Sequence, residues 1–130
     1  MRKVRVDMTV RELIGGEIVA VDPHRSLRQA AGLMATSELG ALAVTEDRRL
    51  IGIFTERDLV RACANRADLD RSTVGDWMTI DPDSLDPDMP IKDAADWMLA
   101  AGYRHLPVVE GTTPIGMVSI KDILWGVTGF

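Results

Sequence analysis

Twice in this chain a hydroxyl residue is followed three positions later by an aspartate, with a glycine upstream and a basic residue between. The first instance reads Ile51-Gly52-Ile53-Phe54-Thr55-Glu56-Arg57-Asp58 and the second Ile115-Gly116-Met117-Val118-Ser119-Ile120-Lys121-Asp122. Each stands where an apolar, strand-like run gives way to a helical pattern. Thr55 and Ser119 would therefore sit at helix N-termini, where unpaired N–H groups favour an anion. The glycine allows backbone or ligand to approach the strand closely, and Arg57 or Lys121 could neutralise phosphate charge. A hydroxyl with an acid three residues later is also the signature of a helix capping box, which needs no ligand. Duplication does not choose between these readings, because a cap needed once is needed again.

The duplication extends far beyond the motif. Moving residues 9–60 forward by 64 positions (86 − 22 = 64) lays Asp22-Pro23 on Asp86-Pro87, Ala30-Ala31 on Ala94-Ala95 and Met34 on Met98, without insertion or deletion. A repeat of this length defines the folding unit. Leu27, Ala30, Ala31 and Met34 follow the spacing of one helical face, as do Ile91, Ala94, Ala95 and Met98. Ser26 is placed to cap the first of these helices and Asp88, before Pro90, the second; Gly102 is placed to end the second. Two short β-like runs follow in each copy, Leu42 to Thr45 with Leu50 to Phe54, and Leu106 to Glu110 with Ile115 to Ser119, each pair spaced as a hairpin. A further strand is expected near Glu17 to Val21, whereas Asp81 to Leu85 is too polar to assign.

The unit is then β-α-β-β-α, and the fold class α/β (α+β). The first copy takes residues 1–65 and the second 66–130, joined through the polar stretch from Ala64 to Ser72. A three-stranded sheet with helices on one face leaves its other face open, so the copies should pair about a pseudo-twofold axis. A helix face left apolar after pairing suggests a homodimer, with Trp77, Trp97 and Trp125 as core or interface anchors and Trp97 best suited to the core.

Composition narrows the function. A chain of 130 residues with 46% hydrophobic content can build one compact core but not two ordinary independent domains. Net charge is −5 with a pI near 4.9, which argues against nucleic acid as a primary partner. Cys63 is the sole cysteine and reads as a small apolar helix residue; with no intrachain disulfide possible, a reducing, cytoplasmic setting is expected. Only His24, which reads as an exposed turn residue, and His105 accompany it, so no metal site is expected. No apolar run is long enough to cross a bilayer or to form a secretory leader.

The succession of Asp-Pro, amphipathic helix, Tyr103-Arg104-His105-Leu106-Pro107-Val108-Val109, Ile-Gly and Thr/Ser-x-x-Asp resembles the repeat named after cystathionine beta-synthase, the CBS domain. Both copies match, from about Thr9 to Leu124. The resemblance implies a tandem pair, or Bateman module, that dimerises and binds adenosine-containing ligands such as AMP or ATP in clefts between repeats. Carried over position by position, it assigns Thr55 and Ser119 to phosphate, Asp58 and Asp122 to ribose hydroxyls, and Ile53 and Met117 to the adenine. It adds His105, and secondarily Arg104, as strand-borne phosphate ligands. Strand alternation favours His105, since Arg104 shares a side with Leu106 and Val108. An imidazole there would make phosphate binding sensitive to pH near neutrality.

The copies diverge at that strand. The first has Leu39-Gly40-Ala41-Leu42-Ala43 where the second has Tyr103-Arg104-His105-Leu106-Pro107, so two unequal sites are expected, with the Ser119/Asp122 site better equipped for a charged ligand. The reading is a ligand-sensing regulatory module acting on a separate protein partner. The alternative is a ligand-independent interaction scaffold whose Thr/Ser-x-x-Asp elements are only caps. No nucleophile stands beside an identifiable base and no Walker loop is present, so an enzyme with catalytic residues or a catalytic cofactor is not expected.

Overall fold

The computed structural model describes residues 8–15 and 18–128. It is mixed α+β, and each sequence copy carries strands and helices in the expected order. The chain separates into two compact units, Val19–Pro82 and the described residues of 8–18 with those of 83–128. These units are not the two sequence copies: the segment that leads each copy folds with the other one.

In the first unit β1 (Ala20–Val21), β2 (Ala41–Glu46), β3 (Arg49–Thr55) and β4 (Thr79–Ile80) form a sheet in that order. The β1 strand runs parallel to β2 and the other pairs are antiparallel. Helix α1 (Leu27–Ser37) starts in a full capping box, Ser26 Oγ accepting from Gln29 N while Gln29 Oε1 accepts from Ser26 N, both at 3.1 Å. Its Leu27, Ala30 and Met34 join Leu42, Val44 and Phe54 of the hairpin in one buried cluster. Positive φ angles of 51° at Asp47 and 63° at Arg48 let a two-residue turn follow the twist of β2 and β3.

Helix α2 (Glu56–Ala64) follows β3 and carries Cys63, which is exposed. The connection to the second copy is tied back to the start of α1: Leu27 N donates to Ser72 O at 3.0 Å and Arg28 N to Leu69 O at 2.9 Å. The one-turn helix α3 (Val74–Trp77) then supplies Val74, fully buried, to this unit's core, and Trp77 packs half-buried beside it.

The second unit repeats this plan with α4 (Ile91–Ala101), β5 (His105–Glu110), β6 (Thr113–Ser119) and α5 (Ile120–Thr128). A short 3-10 turn at Val10–Leu13, equivalent by the repeat to α3, completes it: Val10 N donates to Met89 O and Ile91 N to Met8 O, both at 2.9 Å. Leu85 bridges Val108 in parallel, as its counterpart Val21 pairs with Val44, but as an isolated bridge rather than a strand. The strand expected at Glu17 to Val21 is reduced to β1; Glu17 lies outside the described residues.

One expectation needs adjustment. Asp88 does not cap α4. Pro90 occupies the cap position without a side-chain bond, and Asp88 instead accepts from Arg11 Nε at 3.3 Å. Gly102 does end the helix, at φ 78°. Among the tryptophans, Trp97 packs against the second core, edge-on to Tyr103 at 5.8 Å, whereas Trp125 is 63% exposed and lies outside it.

The glycine of each motif has a structural occupant. A Cβ at Gly52 would lie 2.5 Å from Met78 Sδ and 2.9 Å from the Thr79 carbonyl; at Gly116 it would lie 2.7 Å from Ile14 Cγ2. Met78 and Ile14 are equivalent positions of the two exchanged segments. The close approach inferred from sequence is thus made by the chain itself.

Gly52→Ala is expected to destabilise the protein by about 2 kcal/mol, because a fixed backbone oxygen blocks the added methyl. Gly116→Ala, facing only the side chain of Ile14, should cost less; urea denaturation of the two variants checks the order. Tyr103, the only tyrosine, donates to Asp83, and that bond, then desolvation, then the Asp83 charge hold its phenol above the ordinary value of 10.0. Because the raised group is neutral when protonated, its stabilisation is present below the ordinary tyrosine range and lost as pH rises through the folded value. Ultraviolet titration should find tyrosinate forming later than in a model peptide, and Asp83→Ala should remove the delay.

Candidate functional site

Both Thr/Ser-x-x-Asp elements fold as reciprocal caps. Thr55 N and Thr55 Oγ1 donate to Asp58 Oδ2 at 2.9 and 3.0 Å, and Asp58 N donates to Thr55 Oγ1 at 3.3 Å. Ser119 N donates to Asp122 Oδ2 at 3.1 Å and Asp122 N to Ser119 Oγ at 3.0 Å. Backbone bonds from Glu56 N to Gly40 O and from Ile120 N to Arg104 O anchor the two helix starts to the neighbouring strands in the same way. The cap reading of the motif is therefore satisfied in both copies. It leaves the first-turn N–H groups and part of each carboxylate to be accounted for.

The accounting differs between copies. Asp58 is only 6% exposed, and its Oδ1 lies 3.4 Å from Arg61 Nη2. The Arg61 guanidinium in turn lies 6.0 Å from the centre of the Trp77 ring. Asp122 is exposed, and no partner faces its Oδ1 among the described residues. Arg57 and Lys121 both lie exposed in the first turns of their helices.

The strand pairing fixes what flanks each hydroxyl. In the second copy His105 stands directly opposite Ser119, and Pro107 opposite Met117. Directly opposed residues project to the same face, so His105, Met117 and Ser119 share one side of the hairpin. Leu106, Val108 and Val118 fill the buried side. His105 and Met117 remain half-buried, while Arg104 precedes the strand and is exposed. In the first copy the matching positions are Ala41 opposite Thr55 and Ala43 opposite Ile53, and all three apolar members are buried, at 2%, 0% and 7% exposure. The structure thus brings His105, Met117, Ser119 and Asp122 together on a face that is accessible in part, its Pro107 being buried, and leaves Thr55 beside a covered one.

Arg61 and Trp77 were not among the residues singled out by the motif. The repeat does carry a trace of them: the position equivalent to Arg61 is Trp125, and that equivalent to Trp77 is Leu13, so both depart from the pattern. Among the described residues no three His, Cys, Asp or Glu side chains are grouped to hold a metal ion, and no helix is long and apolar enough to cross a membrane.

A fold of two such units, each closing a capped hydroxyl–acid pair at the end of a hairpin, defines a class. The family model for the CBS domain matches residues 10–65 and 74–128, and the chain belongs to that family. An uncharacterised 17.7 kDa protein of Acidianus ambivalens is 38% identical over 116 residues, covering 88% of this chain and 70% of that one. A CBS-domain containing protein of Agrobacterium tumefaciens superposes with a TM-score of 0.81 at 32% identity, over 90% of this chain and 97% of the other. A CBS domain protein of Pyrobaculum aerophilum, solved complexed with AMP, superposes with a TM-score of 0.82 at 26% identity, over 95% of this chain and all of the other.

Both caps should contribute to stability, unequally. Asp58→Ala removes two hydrogen bonds and an ion pair to a buried carboxylate and is expected to cost about 2 kcal/mol, whereas Asp122→Ala, at an exposed cap, should cost about 0.5 kcal/mol. Thermal unfolding of the two variants measures the difference.

Proposed function

We propose that the chain is a regulatory module that binds an adenosine-containing nucleotide, AMP, ATP or a related compound, principally at the Ser119/Asp122 site, and signals through a homodimer to a separate protein partner. The observation that carries this reading is the partly accessible face on which His105, Met117, Ser119 and the half-engaged carboxylate of Asp122 meet. Each supplies a distinct element of recognition. Ser119 and the first N–H groups of α5 offer donors to phosphate oxygens, and Lys121 with Arg104 adds positive charge beside them. His105, opposite Ser119, reaches the same group from the strand. Asp122 can accept from two adjacent ribose hydroxyls, and Met117 offers a polarisable surface to the base.

The AMP complex of the Pyrobaculum protein supports the ligand class. Exposed Val60 and Leu99, at 66% and 58%, favour burial of helix surface in a homodimer. The single cysteine fits a reducing cytoplasm. Arg57, Thr55, Asp58 and Ile53 form the corresponding but weaker site of the first copy.

One observation favours the alternative of a ligand-independent scaffold: both hydroxyl–acid pairs complete their caps without any ligand. The two readings part in calorimetric titration against a panel of adenine nucleotides. The nucleotide reading expects binding that Asp122→Ala weakens by about one to two orders of magnitude, the loss of a charge-assisted bond, and that Asp58→Ala weakens less. A saturating ligand should also raise the melting temperature. Absence of binding by every nucleotide tested, from a folded sample, leaves the scaffold.

A further inference from the structure

Resting on the reading just given, we propose that Arg61 is the residue that disables the first site: its guanidinium occupies the carboxylate that a ribose would need. A carboxylate has about four lone-pair positions, and a ribose diol needs two of them in an open direction. Asp58 Oδ2 already accepts from Thr55 N and Thr55 Oγ1, and Arg61 Nη2 stands 3.4 Å from Oδ1. Both oxygens are engaged, and the side chain is only 8% exposed. A diol can reach Asp58 only by displacing Arg61.

Arg61 is held where it competes. Its guanidinium stands 6.0 Å from the Trp77 ring centre, a distance at which a cation is attracted to the ring face. Trp77 belongs to α3, the exchanged segment, so the same arginine links α2 to the element that completes the unit's core. The second copy has neither part: Trp125 and Leu13 stand at the equivalent positions, and Asp122 has no cation partner among the described residues. The absence of a strand-borne imidazole weakens the first site for phosphate; Arg61 withholds it from the ribose as well. Occupation of the first site and attachment of Arg61 to Asp58 thereby exclude one another.

The test isolates the first site by working in an Asp122→Ala background and titrating with AMP. Adding Arg61→Ala is expected to tighten the remaining binding by roughly fivefold, the reach of one partly exposed ion pair, and further substitution Asp58→Ala should abolish that gain. Unchanged or weaker binding on Arg61→Ala, with the wild-type protein binding AMP normally, would overturn the inference alone. Should the wild-type protein bind another adenine nucleotide of the panel but not AMP, the same titration is run with that nucleotide; failure to bind any of them would overturn the nucleotide reading and this inference with it. A ligand-free check is a double-mutant stability cycle of Asp58→Asn with Arg61→Ala: non-additive losses support the pairing, and simple additivity overturns it.

Discussion

Each unit depends on one close contact: an apolar side chain from the other copy's leading segment lying against a strand that has no side chain to oppose it. Met78 rests on Gly52 and Ile14 on Gly116. Around these points the exchanged segments deliver Val74 and Val10, both fully buried, and the backbone bonds that fasten them to the starts of α1 and α4. A methyl group at either glycine would hold the segment away from the sheet. Core composition, helix placement and the position of the capped motif at the end of the hairpin all follow from that approach.

The caps show how one side chain meets two demands. A helix start requires an acceptor for its first N–H groups, and a hydroxyl with an aspartate three residues on satisfies it in both copies. What distinguishes the copies is the remaining half of the carboxylate and the face beside it. In the first copy small apolar residues and Arg61 close both. In the second the half-buried His105 and Met117 leave part of the face accessible, and Asp122 stays partly unengaged. Duplication preserved the folding role of the motif while its chemical surroundings diverged.

The two copies were legible in the sequence because their core positions recur at a constant offset: Val21 with Leu85, Leu27 with Ile91, Met34 with Met98 and Val44 with Val108 all lie in the two buried clusters. The caps of α1, α2 and α5 were legible for the same local reason. The exchange was not, because Val10–Leu13 and Val74–Trp77 are single turns whose few apolar residues do not say which sheet they join. The Asp88 cap failed because Pro90, two residues later, takes the cap position, the first N–H of α4 donates to Met8 O, and Asp88 pairs with Arg11. Arg61 was hidden for another reason: a cation on a helix reads as solvated surface until the aspartate one turn back is found buried.

The exchange of leading segments also bears on how such a chain can arise and be taken apart. Neither copy holds all the residues of its own core, so neither can be excised as a self-sufficient domain at the midpoint of the repeat. A lone ancestral copy would have needed to borrow that segment from a second molecule, at whatever concentration the cell supplied. Fusing two copies in one chain turns that loan into an intramolecular reaction, with the connecting residues setting the effective concentration. Once joined, the copies are free to drift apart in surface chemistry, because the contact that keeps them folded is supplied by the chain on which both reside.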